Sequence, residues 1–445
     1  MIAPARRAAT DVLVAVEAGR IDLPSALAQA HAGLADARDR ALLTELASGV
    51  ERWRLALDFA IHALTNRQPA SLDPEVRATL RLGLFQLQHA TRTPPSAVVN
   101  DAVEIVKRGP TRSASGMVNA VLRRVVRDGF PRLPDAPRVP VGDPRWREQA
   151  LAYLAITGSH PRWLVERWVD RHGYDAAEAW IRHDNTSADV TVWPMPGRGV
   201  LPEDLHGQPT RFVPGGLVLD AGKDALPLLR EARAYAQDEA SAAVGLVAAT
   251  VARGRVLDAC ASPGGKSLVM HGRLPAGSRL MANDLRARRV TLLAQTLARI
   301  PGAAIPVLRS DAARLPFSAS LDAVLVDAPC SGLGTLRREP DVRWRRGPGD
   351  LPALVATQRA LIEEGLRALA PGGRLIYATC SSEPEENESL VADVLVAHPE
   401  LTRIDLRTAA LPASMAPLLT DEGALRTWPH AHGLDAFYAV VLQKP

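Results

Sequence analysis

Cys330, in VDAPCSGLG, and Cys380, in YATCSSEPEENE, each close an apolar run and each precede a serine. A thiolate at such a point can add to an electron-poor carbon and split one hard step into two easier ones. A free cysteine is most often a small buried hydrophobe. Two of them in matching contexts, each at the end of a predicted strand, point instead to chemistry, and the residues alone do not order the pair. The third cysteine, Cys260, lies in RVLDACASPGGKS, where a predicted strand runs into a glycine turn and a helix start. No His or Cys cluster has zinc spacing, so no metal is expected.

The turn 261–265 reads as a ligand loop. Glycines let a ligand approach the backbone, and the helix that follows offers free N–H groups. GGKS hints at a phosphate loop, but that motif needs glycine where Cys260 stands. The dinucleotide pattern G-x-G-x-x-G is absent from this turn. Asp284 ends the next predicted strand, 26 residues after Asp258, and a carboxylate there suits ribose hydroxyls. Asp311 ends the third and is placed to meet an adenine edge. Each aspartate equally suits a helix N-cap after a strand. A nucleoside ligand without a required pyrophosphate fits, and S-adenosylmethionine is one.

These residues need a scaffold that gathers them. The segments SRLMAND (278–284), AAIPVLRSD (303–311), LDAVLVDAP (321–329) and GRLIYATC (373–380) read as strands, with helical stretches such as RARRVTLLAQTLARI (286–300) between them. Alternation over 236–445 predicts a Rossmann-like, doubly wound parallel α/β sheet. Such a sheet binds ligands beyond its carboxyl ends, where all three cysteines fall. Residues 1–133 read as an all-α bundle. Leu43, Leu46, Val50, Trp53, Leu57, Ile61 and Leu64 predict one apolar stripe on one helix. Five prolines in 130–144 make 134–144 a linker. Residues 145–235 read as a small mixed α/β middle domain, with a helix at 163–173 and strands at 188–194 and 210–219. Five of the eight tryptophans (146, 163, 168, 180 and 193) lie there. They suit base stacking or a core, and the core is the expected use.

A length of 445 residues allows about three domains. With 47% hydrophobic and 23% charged residues the chain is globular, not disordered. Three scattered cysteines exclude a secreted disulfide framework. No apolar run is long enough for a membrane span, and the first residues lack a signal peptide's apolar stretch. A cytoplasmic monomer with reduced thiols is expected. Net charge is +4, and only four of the 53 basic residues are lysines. Arginine forks suit phosphates and stack on bases, so a nucleic-acid partner is plausible.

DACASPGGK, VDAPCSGLG and ATCSSEPEENE resemble the signature motifs of RNA cytosine-C5 methyltransferases of the Nop/Sun type. QDEAS (237–241), LRREPDVRW (336–344) and HGLDAFYAVVL (432–442) resemble that family's entry motif, basic segment and closing strand. Together they cover 236–445, and the combination is specific. RRAATDVLVAV, LRLGLFQL and VVNDAVEIVKR…SGMVNAVLRRV in 1–133 resemble the NusB domain. That order of parts resembles the branch of the family that modifies bacterial small-subunit (16S) ribosomal RNA. The departures are Ser262 for Ala, Leu333 for Thr and Ala436 for Gly, none of them a reacting group. The middle segment matches least clearly.

The resemblance implies that Cys380 adds to C6 of cytosine, making C5 able to attack the methyl sulfonium of S-adenosylmethionine. Cys330 would assist release of the adduct. Asp327 is the implied third catalytic residue, meeting the cytosine edge and the cofactor; to donate to N3 it must carry a proton. The implied cofactor residues are Cys260, Ala261, Ser262, Pro263, Gly264, Gly265, Lys266, Asp284, Asp311 and Asp327. A free thiol has a pKa of about 8.5, so helix N-termini or nearby arginines are expected to lower that of Cys380. Glu386 and Glu388 lie close to Cys380 as bases for the C5 proton, although a helix start explains them better. Arg337, Arg338, Arg343, Arg345 and Arg346, with Trp344 among them, form the expected RNA strip. Arg123, Arg124 and Arg127 form a second patch. Three alternatives stand beside this: the same chemistry on tRNA or another RNA, a non-catalytic RNA-binding or assembly factor, and a P-loop NTPase, which Cys260 disfavours.

Overall fold

The computed structural model describes residues 2–89, 93–220 and 222–445. They form two compact units, one of Met1–Thr186 with Leu336–Gly347, the other of Ser187–Thr335 with Pro348–Pro445.

The first unit is helical. Asp22 and Asp36 accept N–H groups of Ser25 and Arg38 and so cap the helices Leu23–Ala32 and Ala37–Arg52. The stripe predicted over 43–64 is real, but it runs over two helices. The chain leaves helical geometry at Trp53 (φ −104°, ψ 15°) between Ala37–Arg52 and Arg54–Thr65. Only one residue breaks the period, so the spacing cannot reveal the bend. Leu43, Leu46, Val50, Leu57 and Ile61 are buried on both sides of it. Pro74–His89 is buried along nearly its whole length and forms the centre of this bundle.

The expected middle domain is divided. Trp146–Ala152, Arg162–His172 and Tyr174–Asp184 are helices of the first unit, whereas the chain from Ser187 belongs to the second. The five tryptophans accordingly share no single core. Trp168 and Trp180 are fully buried and stacked at 4.2 Å in the first unit. Trp193 is in the core of the second. Trp146 and Trp163 are half-buried.

The second unit has two sheets. Strands β1 (Thr191–Pro194), β2 (Gly207–Pro209), β3 (Leu217–Leu219) and β4 (Ala234–Ala236) form a small antiparallel sheet in the order β2-β3-β1-β4. Of the strand expected at 210–219, only β3 pairs; Phe212 and Val213 are core residues on a loop. The large sheet contains β5 (Arg255–Asp258), β6 (Arg279–Asp284), β7 (Val307–Arg309), β8 (Leu321–Asp327), β9 (Leu369–Thr379), β10 (Thr402–Ile404), β11 (Leu425–Arg426) and β12 (Tyr438–Gln443). Its order is β10-β12-β9-β8-β5-β6-β7, with β11 paired to β12. Strands β5 to β9 are parallel, and β12 runs against β9. LDAVLVD is apolar almost throughout because β8 is covered on both faces. The chain goes outward from β5 through β6 to β7, then returns to β8 on the other side of β5. That reversal opens a crevice at the carboxyl ends of β5 and β8.

Candidate functional site

Asp258 ends β5 inside the sheet. It is fully buried, and Ser267 Oγ donates to its Oδ2 at 2.6 Å. Burial pushes its carboxyl up to about 7, with the Ser267 bond working in the opposite direction. The residue joins strand to helix and is not presented to a ligand. The turn then passes Cys260, whose thiol burial pushes far up. Ala261 N–H donates to Asn283 O, and Ser262 Oγ donates to Arg289 O. Gly264 has φ +112°, and a Cβ there would meet Thr296 Cγ2 at 3.0 Å. Helix Gly265–Arg273 starts at once with no side-chain cap, so its first N–H groups face the crevice unclaimed by a capping side chain.

Asp284 ends β6 nearly buried. Its Oδ2 lies 3.3 Å from Arg289 Nε, and the same guanidinium donates to Ser262 O at 2.5 Å. Asp311 stands two residues beyond β7, not at its end, and is exposed; its Oδ1 accepts Ala313 N–H in a local turn. The local-cap role weighed for the aspartates therefore describes Asp311 as it stands here. Asn283, which the sequence did not single out, is fully buried and binds three stretches together. Its Nδ2 donates to Ala259 O and Ser310 O, and its Oδ1 accepts from Ser310 N–H and Oγ. An asparagine within a strand pattern is the only signal it leaves.

Asp327 ends β8 and meets Lys266 from the glycine turn, Nζ to Oδ2 at 2.7 Å. Burial opposes the charge on Lys266, but Asp327 outweighs it and the ammonium is held above its ordinary value. The ammonium also lies 5.2 Å from the Phe437 ring. Lys266 thus donates to Asp327 as an ion-pair partner at the mouth of the glycine turn.

Cys330 and Cys380 sit on loops after β8 and β9, and their Sγ atoms are 3.3 Å apart. Spacing in sequence could not show this, because parallel neighbours β8 and β9 are separated by the helix Leu351–Ala368. The Cys380 thiol is raised well above its ordinary range. The bond from Cys330 is the first cause and burial the second; Asp327 adds to them and Lys266 opposes. This overturns the expected lowering by helix N-termini or arginines, since the cation set against Cys380 is Lys266.

Glu386 is engaged within the protein. It is fully buried and accepts from Ser331 N–H and Gln358 Nε2, both at 2.8 Å, and from Ser381 Oγ. Glu388 is half-exposed, heads the helix Glu388–Ala397 and pairs with Arg426 at 3.3 Å. Backbone bonds lock the motifs together: Gly334 N–H to Cys380 O at 3.0 Å, and Ala436 N–H to Gly334 O at 2.8 Å.

The basic strip expected at 337–346 is corrected by the fold. Its segment belongs to the helical unit. Arg343 is fully buried there, donating to the carbonyls of Ser159 and Leu336 and to Asn185 Oδ1 at 3.0–3.2 Å. Trp344 Nε1 donates to Glu51 O at 2.7 Å. Clustered arginines look alike in sequence whether they face water or carbonyls. Arg345 is exposed, as are Arg123, Arg124 and Arg127. Among the described residues no helix is long and apolar enough to cross a membrane.

Residues 246–443 match the family described as 16S rRNA methyltransferase RsmB/F, and residues 3–127 match the NusB family. A putative methyltransferase of Mycobacterium tuberculosis is 36% identical over 462 residues, spanning 99% of this chain and 96% of its own. The probable ribosomal RNA small subunit methyltransferase B of Bacillus subtilis is 30% identical over 92% of this chain and 91% of its own. The chain belongs to the RsmB/F methyltransferase family. The fold is also similar to that in the crystal structure of PH0851, with a TM-score of 0.79 at 23% identity over 100% of this chain and 99% of that one. The Rossmann-like fold, the NusB part and the resemblance drawn from the cysteine motifs all agree with this membership.

Proposed function

We propose that this RsmB/F methyltransferase forms 5-methylcytosine in small-subunit (16S) ribosomal RNA through a covalent adduct between Cys380 and cytosine C6. The observation that carries the reading is the pair of thiols 3.3 Å apart at the carboxyl edge of the sheet. Two thiols in contact suit a reaction in which one makes a bond to carbon and the other helps break it. Cys380 is the nucleophile and Cys330 the group that assists release. The Bacillus subtilis relative, a probable ribosomal RNA small subunit methyltransferase B, and its Pseudomonas putida counterpart, a ribosomal RNA small subunit methyltransferase B, support the RNA class.

The residues present fit S-adenosylmethionine. Gly264 has a backbone that disfavours any side chain and a Cβ there would crowd Thr296, the helix start is uncapped, and Asp284 offers a carboxylate to ribose hydroxyls. Residues 260–266, Asp284, Asp311 and Asp327 would hold it, and it would supply an electrophilic methyl group. The chain's own residues do the rest. The Cys380 S–H bond breaks with its proton passing to water, the S–C6 bond forms, and the C5–C6 electron pair shifts so that charge develops toward N3. Once C5 carries the methyl group, its proton leaves to water and the S–C6 bond breaks, returning the sulfur as thiolate. The Lys266–Asp327 pair is set to stabilise the charge toward N3. In a duplex, C5 and C6 are stacked, so the target base must be in a loop or flipped out. Residues 1–133 and the segment to 235 are assigned to RNA binding, with the exposed Arg123, Arg124, Arg127 and Arg345 as phosphate contacts.

The test is transfer of labelled methyl from S-adenosylmethionine to unmodified 16S ribosomal RNA and, separately, to bulk tRNA, with the product nucleoside identified by mass. 5-Methylcytosine in the ribosomal RNA alone is expected. Transfer to tRNA instead would replace the substrate, and another modified nucleoside would replace the mechanism.

A further inference from the structure

The carboxylate of Glu386 lies where the two cysteine loops meet, yet the reaction above gives it nothing to do. One oxygen accepts Ser331 N–H, next to Cys330. The other accepts the hydroxyl of Ser381, next to Cys380. The two serine hydroxyls are themselves 3.0 Å apart. Gln358, also fully buried, donates to Glu386 Oε1 at 2.8 Å and to Pro329 O at 3.1 Å, on the residue before Cys330. Tyr377 Oη donates to the Glu386 carbonyl at 2.6 Å, so the residue is held from its backbone as well.

We propose that Glu386 is the positioning residue of the two-thiol centre, bracing the Cys330 loop against the Cys380 loop and so holding the two sulfurs in contact. The inference rests on the assignment of these thiols to adduct formation and release. A carboxylate suits the task better than a neutral acceptor, because bonds from N–H and O–H donors to a charged oxygen are shorter and stronger. Strands β8 and β9 fix where each loop begins, but each sulfur lies beyond its strand's end. Without Glu386, Ser331 N–H and Gln358 Nε2 would each lose a buried charged acceptor, Gln358 keeping only its bond to Pro329 O, and the loops would rearrange to compensate. Gln in place of Glu keeps an oxygen for those two donors, while its amide can donate to Ser381 Oγ.

The experiment uses disulfide closure as a ruler on the full chain without RNA. Diamide takes two hydrogens from the Cys330 and Cys380 thiols; the S–S bond forms and the azo bond is reduced to a hydrazine. Peptide mapping by mass follows the rate. Closure should be slower by about tenfold or more in Glu386→Ala and within about threefold of wild type in Glu386→Gln. Ser381→Ala, a milder change, should fall between them and covers the case in which Glu386→Ala does not fold. In methyl transfer, Glu386→Ala should lower kcat at unchanged KM for S-adenosylmethionine and accumulate protein–RNA adduct. Closure at the wild-type rate in a folded Glu386→Ala or Ser381→Ala protein overturns the proposal. If wild-type protein transfers no methyl, the functional reading fails, while the closure rates still judge Glu386.

Discussion

Replacing Cys380 by Ala removes the proposed nucleophile, and methyl transfer should vanish while cofactor binding, measured by calorimetry, stays within about twofold. Cys330→Ala should leave bond formation intact and release impaired, so adduct should survive a denaturing gel. The same variant tests the electrostatics. Cys330 is the first cause of the raised Cys380 thiol. In wild type the rate of adduct formation should climb with pH through the alkaline range, as the thiolate fraction grows. In Cys330→Ala that rising limb should move to lower pH; an unmoved limb would mean that burial alone sets the thiol. Asp258 gives a stability test with a defined sign. Its carboxyl stands at about 7 in the folded protein against an ordinary value of 3.8. A raised acid contributes stability that is complete below the ordinary value and is lost as pH rises through the folded value. Asp258→Asn keeps an acceptor for Ser267 and cannot ionise. Its stability relative to wild type should therefore improve between pH 4 and 7 in denaturant titrations, by on the order of a few kcal/mol at full ionisation.

At the scale of elements, the glycine turn is where backbone shape decides function. Gly264→Ala would force a side chain into φ +112° and against Thr296 and Leu293. It should weaken cofactor binding about tenfold or more, and an unchanged affinity would show that the turn can shift. This turn was legible in the sequence because strand, glycines and helix start follow one another within a dozen residues. The parallel strands β5, β6 and β8 were legible for a similar reason: each is a short apolar run ending in an acidic residue. What the sequence hid is contact between distant stretches. Cys330 and Cys380 are 50 positions apart, and only the pairing of β8 with β9 brings their loops together. Glu386 could be seen as a carboxylate near Cys380, but not as a buried acceptor for Ser331. Asn283 gave a polar residue at the end of an apolar run and nothing more. The bend at Trp53 was invisible because hydrophobic spacing continues through it.

For the whole molecule, the decisive segment is 336–347. Its arginines look like a solvated basic strip, yet Arg343 is wholly buried among backbone carbonyls of the helical unit, and burial pushes its guanidinium down to about 10. Arg343→Ala would leave those acceptors without a donor, and should destabilise the helical unit by roughly 3 kcal/mol. Thermal unfolding with probes in each unit would show the transition of the helical unit shifted. Lys at this position should restore little, since a single ammonium cannot reproduce a fork aimed at several carbonyls at once.

The division of the chain into units also bears on truncation. Neither unit is a continuous stretch of gene, because the chain passes from the second unit to the first after Thr335 and returns at Pro348. A deletion of codons 1–186 would leave behind a dozen codons whose product was shaped to another fold, starting six positions after Cys330. A shortened chain that lacks the helical front would therefore also need a remade loop in place of 336–347, close in sequence to Cys330.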